Sequence, residues 1–517
     1  MDEEQSLIST TELSDMDSTS SEPFTTTALR RNTIHILEPS LSHTTKRILI
    51  FLLPTFLQPS SDPRTPSKRP HPTAWLDGMR GLAALMVFLY HLSYSTHDVY
   101  TAYIPSHKEF LRLPLIRSFY NGNFMVSIFF VISGFALSWK PVMQMRKAEI
   151  GELGRGLGRS LVRRGVRLYM PCFASTFVIL VLVRLGGYEW TRGLAGDGER
   201  LVGHREYHPQ RCEGLREQVW VWCKDMAGFV NPFSAEGMEM DGHLWTIKVE
   251  YVSCIECLLG LIADLGLQRA SIILYVTQLG LCQLRTRYRM LGLICLIAWA
   301  HQVDRWEMVL FYGGFILAEL AVRRNTLAAS HTFDHSHPKS GLLWSTIYIL
   351  AFICGLYLGG QPERQFEHAP GWSLLHSLIP KYIKDWHRYW TGWGALLLVW
   401  STSNHRSLQR VFTNSVSQYL GKISFSLYLV HGAVIHTLGY GLLEVLWRLI
   451  GMNTRMRKEG CFVLMASCVL VVTIWLADIF TRVVDVPSVQ FAKWLEERCV
   501  AKKQIKVEPA WRESAIV

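Results

Sequence analysis

Apolar residues gather in runs of close to 20 that recur from about residue 75 to about residue 486, mostly with short polar connections. Such a run crosses a hydrocarbon layer of about 30 Å as an α-helix, whereas a half-buried strand would alternate apolar and polar positions. The first run is Trp75–Tyr94, the second covers 119–139 and ends at Lys140, and the third begins at about Leu168. A fourth opens at His243 with HLWTIKVEYVSCIEC, and six more follow at about 290–303, 307–323, 342–360, 389–403, 417–447 and 461–486. Residues 264–283 are ambiguous. As a separate span they would put the arginines at 285–289 and 323–324, and the basic C-terminal tail, outside. As an extension or re-entrant piece of the fourth span they bring all three inside, where Lys and Arg are favoured. The pattern predicts an all-α, polytopic membrane protein with about ten transmembrane helices and both termini cytosolic.

The flanks and connections follow from the same reading. Residues 1–72 are expected to be a disordered, Ser- and Thr-rich cytosolic tail with a short interfacial helix at 47–57, interrupted by Pro54. Residues 73–495 form the membrane domain, and 496–517 a second cytosolic tail. A basic loop is expected from Arg146 to Arg167, with a long polar loop at 186–242 and an aromatic, His-rich loop at 361–388 on the opposite, lumenal or extracellular face. An endomembrane such as the endoplasmic reticulum, or the plasma membrane, would house such a chain. No internal repeat is visible.

Composition narrows the classes. Only 18% of residues are charged against 49% hydrophobic, below the roughly 25% charged of soluble domains, so the length of 517 residues does not mean several soluble domains. The net charge of +11 sits largely in short loops, where it orients the chain and need not imply nucleic acid. Cys254 and Cys257 imitate CxxC but lie in an apolar run, which points to packing. Cys212 and Cys223 share a polar loop and would be able to pair if it is lumenal. His331, His335 and His337 beside Asp334 resemble a metal site only loosely, because no frame fixes their spacing. No metal and no permanently bound cofactor is expected, and no Walker, GxGxxG, HExxH or GxSxG constellation occurs in its required context.

The chemistry begins in the first span, which carries Asp77 and Arg80 near one end and His91 deep inside. Ionisable residues in a span are costly and mark function by default. Eleven positions at 100° bring His91 to within roughly 20° of Arg80, about 16 Å along the axis. A cation at the surface and an imidazole half a bilayer deeper suit a ligand with an anionic head and a reactive tail, such as acyl-CoA. Alternatively, Arg80 snorkels to the headgroups and His91 bonds a neighbouring helix. Arg164 and Arg167, at i and i+3, are a second pair able to clamp phosphate, or else topology signals alone. His243, Lys248, Glu250 and Glu256 add charge in or near the fourth span.

The segments LDGMRGLAALMVFLYH, FFVISGFALS, RRGVRL, HLWTIKVE, FYGGFILAEL and GKISFSLYLVH occur in this order over residues 73–495. Together they resemble the acyltransferase-3 family of integral membrane acyltransferases, particularly its fungal branch. The resemblance implies ten membrane helices and transfer of an acyl group, commonly acetyl from acetyl-CoA, to a hydroxyl of a sugar or small molecule. The family's Arg-x10-His motif falls on Arg80 and His91, its RxxR motif on Arg164 and Arg167, and its fourth-helix Trp and Glu on Trp245 and Glu250. The segment around 258–275 is longer than usual in the family, and the SGNH-type domain of some bacterial members is not found.

On this reading His91 is the general base, Arg80, Arg164 and Arg167 hold the CoA phosphates, and Glu250 orients the imidazole or the acceptor. An acyl-histidine intermediate is a variant. Trp245 and His431 line the substrate site, His431 with a structural role as the alternative. Acyl-CoA, a hydroxylated small molecule such as a secondary metabolite or sugar, and membrane lipid are the expected partners, with no nucleic acid. The rival class is a multi-pass transporter or exporter, since intramembrane Asp, Glu, His and Arg also mark transport pathways, although no inverted repeat supports it.

Overall fold

The computed structural model describes residues 42–58, 71–104, 109–231, 238–250, 270–330 and 338–499. The chain divides into two units, Met1–Ser67 and Lys68–Val517. In the first, helix α1 (His43–Leu52) starts at Ser42, whose hydroxyl accepts from the Thr45 backbone N–H at 3.2 Å. It stops because Leu53, preceding Pro54, is extended. The expected disorder of the first 41 residues lies outside the described residues.

The second unit is helical, and among the described residues no strand forms; Thr101 and Arg364 make an isolated bridge. Its principal helices are α2 (Ala74–Ser93), α3 (Gly122–Arg146), α4 (Ile150–Arg184), α5 (Leu215–Val230), α6 (Trp245–Glu250), α7 (Ala270–Leu281), α8 (Thr286–Gln302), α9 (Trp306–Ser330) and α10 (Pro338–Gly359). After them come α11 (Tyr389–Asn404), α12 (Arg406–Thr413), α13 (Ser415–Val434), α14 (Tyr440–Ile450), α15 (Arg455–Phe480) and α16 (Val486–Cys499). Five helical stretches among the described residues are long and apolar enough to cross a membrane: Gly122–Arg146, Ile150–Arg184, Gly341–Gly359, Ser415–Ile450 and Arg455–Cys499. They make this a membrane protein. The count of ten spans stays an expectation.

The stretch expected as a basic loop, Arg146–Arg167, is mostly the first half of α4, because Arg, Leu and Glu are good helix formers and its glycines are too scattered to break it. Arg289, one of the arginines expected to orient the chain, is buried and paired. Its guanidinium meets Glu319 at 3.0 Å, and Glu319 also takes Arg146 at 2.8 Å. One buried carboxylate thus ties α3 and α8 to α9, as a buried charge requires.

α2 is held at the centre by close backbone approach. A Cβ at Gly81 would meet the Gly421 nitrogen at 2.2 Å, so α2 and α13 touch only because both positions lack side chains. The largest core cluster, with Trp75, Met79, Phe124, Phe135, Phe311 and Phe315, lies between α2, α3, α9 and α11. A second, around Phe88, Leu443, Cys461 and Val469, lies between the other end of α2 and α14–α15. Between these clusters α2 presents Arg80 and His91 to two cavities.

Candidate functional site

The first cavity, about 500 Å³, is basic. Arg80 from α2, Lys140 from α3 and Arg159, Arg163, Arg164 and Arg167 from α4 line it, with Glu152 and Glu496 on its wall. Because these arginines ride on a helix, Arg163 and Arg167 stack at i and i+4. Arg80 is held by protein groups: Nε donates to Ser424 Oγ at 3.1 Å, and Nη2 to the Gly421 carbonyl at 3.3 Å and toward Asp77 at 3.1 Å. Its side chain remains 35% exposed, so it can still reach an anion. Glu496 of α16 lies 3.4 Å from Arg163 and 3.9 Å from Arg159.

The second cavity, about 610 Å³, is lined by His91, Tyr94, Glu206, Asp241, His243, Trp245 and His436, among others. The ring of His91 lies 4.3 Å from that of His243 and 5.2 Å from that of His431, and the last two are 4.8 Å apart, centre to centre. His243 comes from a 3-10 turn ahead of α6, where Asp241 caps its backbone N–H at 3.0 Å and meets Nδ1 at 2.9 Å. Gly432 makes room for it: a Cβ there would stand 2.8 Å from His243 Nδ1. His431 donates from Nδ1 to the Tyr428 carbonyl at 2.7 Å. The helix then widens into a π turn, Ile435–Gly439. Regular α-helix would put ~140° between residues five apart; the wider turn narrows that angle and brings His436 to the same cluster.

Glu206 joins the cluster from the connection between α4 and α5. Its carboxylate lies 3.0 Å from His243 Nε2, meets His436 Nε2 through its other oxygen, and stands 3.9 Å from His91 Nδ1. Burial alone would raise the pKa of this carboxyl, but His243 and His436 outweigh it and hold it well below the usual carboxylate range. His436 is backed by His208 at 3.1 Å, whose Nδ1 donates to the Tyr188 carbonyl at 3.1 Å. Burial and the neighbouring His436 push His208 down to about 4.

The two cavities share four wall residues, Val87, Val126, Thr246 and Tyr428. Thr246 Oγ1 and the Tyr428 hydroxyl are 2.7 Å apart, and that hydroxyl donates to the His243 carbonyl. Two valines and this polar pair therefore form the wall that the arginine and histidine cavities have in common.

Of the residues singled out from sequence, Arg80, Arg164 and Arg167 meet in the basic cavity, and His91 and Trp245 face the histidine cavity. Arg388 stacks 4.9 Å from the Trp245 ring. His431 is not on the wall; it packs behind His91 and His243 at 1% exposure. The Glu250 side chain, and Cys254, Glu256, Cys257 and His331–His337, lie outside the described residues. Cys212 and Cys223 are both free. Sequence reading missed Glu206, Asp241, His208 and His436 as site members. The segment HREYH, with His204, Glu206 and His208 at alternate positions in a long polar connection, was the available signal.

The family model described as "Acyltransferase domain" matches residues 73–482. An O-acetyltransferase of Phomopsis amygdali, PaAT-1, is 29% identical over 481 residues, which cover 89% of this chain and 91% of the relative. Acyltransferase R4 of a Phoma species is 28% identical, covering 75% of this chain and 87% of its own length. Acyltransferase clz18 of Cochliobolus lunatus is 26% identical, at 80% and 94%. No solved structure matches the chain significantly.

Proposed function

Because the chain belongs to the acyltransferase-3 family, we propose that this membrane enzyme moves an acyl group, acetyl above others, from acyl-CoA to a hydroxyl of a small molecule. The single observation that carries the reading is the adjacency of the two cavities across a shared wall. An arginine-lined chamber on one side meets a histidine-lined chamber on the other, and one helix supplies Arg80 to the first and His91 to the second. The name of the Phomopsis amygdali relative, an O-acetyltransferase, favours acetyl and oxygen.

In the proposed reaction the CoA phosphates rest on Arg80, Arg164 and Arg167, whose planar forks make charge-assisted bonds to phosphate oxygens. The positive end is taken as cytosolic, where acyl-CoA is supplied. The pantetheine arm then carries the thioester past Val87, Val126, Thr246 and Tyr428. An acceptor hydroxyl in the histidine cavity gives its proton to His91 as its oxygen attacks the thioester carbon. The carbon–sulfur bond breaks, the ester forms, and the His91 proton passes to the leaving CoA sulfur. Glu206, beside His91 and His243, holds the charge that develops on the imidazoles. Trp245 offers an aromatic wall to the acceptor.

The test is release of free CoA thiol from acetyl-CoA by purified protein in nanodiscs, supplied with a panel of hydroxylated metabolites and sugars. One or more members of the panel should raise the rate and appear as the acetyl ester by mass. Movement of a solute into sealed vesicles with no CoA consumption would instead support the transport reading.

A further inference from the structure

We propose that His91, His243 and His431 form a binding site for a zinc-class divalent ion, with Glu206 as fourth donor, and that an ion there stops acyl transfer. The inhibitory half rests on the reading of His91 as base; the binding half does not.

Three ring nitrogens carry the proposal. His91 Nδ1, His243 Nε2 and His431 Nε2 are buried, the first and last have no hydrogen-bond partner among the described residues, and each of the three rings brings one nitrogen within 4.8 Å of the other two. A buried polar atom without a partner is costly, so this convergence of three imidazoles is unusual. His243 Nε2 is also 3.0 Å from a Glu206 carboxylate oxygen, an ion pair whose two members would both become ligands of the ion.

The opposite nitrogens explain how the lone pairs are aimed. His243 Nδ1 faces Asp241 Oδ1 at 2.9 Å, and His431 Nδ1 faces the Tyr428 carbonyl at 2.7 Å. Carboxylate and carbonyl oxygens accept from these Nδ1–H groups, which leaves each Nε2 as the nitrogen to bind an ion; that of His243 first gives up the proton it shares with Glu206. This outer support, from a carboxylate or carbonyl to the far ring nitrogen, is how metal-binding histidines are normally held.

The donor set selects the ion. Three imidazoles and one carboxylate suit Zn²⁺, Cu²⁺ or Ni²⁺, whereas Mg²⁺ and Ca²⁺ need oxygen cages. Zinc–nitrogen bonds of about 2.0–2.1 Å place tetrahedral ligands about 3.4 Å apart, so nitrogens within 4.8 Å of one another must draw together by up to roughly 1.4 Å. Glu206, 3.0 Å from His243 Nε2 and 3.9 Å from His91 Nδ1, is already beside them. The cavity of about 610 Å³ onto which His91, His243 and Glu206 open is the way in.

An ion on His91 Nδ1 removes the base. With that nitrogen coordinated, the other ring nitrogen carries hydrogen and can only donate. Metal and acceptor hydroxyl then compete for the same imidazole, which gives reversible inhibition.

The experiment uses the full chain in nanodiscs, stripped with chelator. Zn²⁺ is titrated against a chromophoric chelator, Co²⁺ is added separately to read tetrahedral coordination from its visible absorption, and CoA release is followed throughout. One equivalent should bind per chain, activity should fall with occupancy and return with chelator, and Mg²⁺ should do neither. Asp241→Asn should weaken Zn²⁺ binding by about 10–100-fold, and His431→Gln by more. His376→Gln, at a ring that packs against Phe366 and Trp386 in the 361–388 connection, should leave binding at the parental level. Parental zinc affinity in His431→Gln, or the lack of a stoichiometric binding phase, would overturn the site. Activity lost on chelation and restored by Zn²⁺ would overturn the inhibitory half together with the base role of His91. Stoichiometric binding with no loss of activity would overturn only the inhibitory half, and an inactive apo-protein that still binds one equivalent would sink the acyl-transfer reading while leaving the site intact.

Discussion

Glu206 and His243 meet at 3.0 Å across the histidine cavity, one from the polar connection after α4 and the other from the turn ahead of α6. Glu206 has no counterpart among the motifs readable from sequence, yet it touches two imidazoles and neighbours a third. Glu206→Gln keeps the size and removes the charge. Each charge-assisted hydrogen bond is worth about 1.5–3 kcal/mol, so kcat should fall roughly 10–100-fold while KM for acyl-CoA stays close to parental. Steady-state kinetics with varied donor decides this: a rise in donor KM with unchanged kcat would remove Glu206 from the proposed role.

Arg164 and Arg167 are expected to act on the donor alone. Alanine at either position should weaken acyl-CoA binding by about 10–100-fold, from the loss of one charge-assisted phosphate contact. Lysine should restore only part of it, because a point charge lacks the fork. Equilibrium binding of a non-hydrolysable acyl-CoA analogue reads this directly, and parental affinity in both alanine variants would dismiss the clamp.

The shared wall gives a separable prediction. Val87→Phe enlarges a side chain that lines both cavities while leaving every arginine and histidine of the site in place. Donor binding should persist while acyl transfer drops by about 100-fold, the scale of a 1 Å misplacement of reacting groups. Butyryl-CoA should suffer more than acetyl-CoA. Equal rates for the parent and Val87→Phe with both donors would mean the acyl group takes another route.

Glu319 is expected to matter for stability instead of chemistry. Glu319→Ala leaves Arg146 and Arg289 facing each other without their shared carboxylate. Removing one member of a buried ion group costs about 3–5 kcal/mol, so the thermal midpoint in detergent should fall clearly. An unchanged midpoint would show the network to be dispensable.

Much of this was legible in the chain, and for a physical reason. The register of Arg80 and His91 is local helix geometry, and the ordered motifs from LDGMRG to LYLVH point to the family. The assembly of the histidine cavity was not legible, because Glu206, Asp241 and His208 reach it through connections whose paths only tertiary packing determines. The π turn that presents His436 has no sequence signature of its own. His431 was assigned to the substrate wall, but helix rotation sets it behind that wall, where its role passes through His91 and His243. The helical first half of α4 was hidden by its glycines and arginines, which read equally well as a basic loop.

The central claim is that His91 takes the proton from the acceptor hydroxyl. Its most direct measurement is turnover and acyl-CoA affinity of His91→Gln beside the parent, in nanodiscs, at saturating acceptor. Glutamine keeps hydrogen bonding but cannot accept a proton in this range, so the account predicts parental acyl-CoA affinity with turnover lowered by about 100-fold or more. Near-parental turnover in His91→Gln would contradict it and make this histidine a structural member of the cluster.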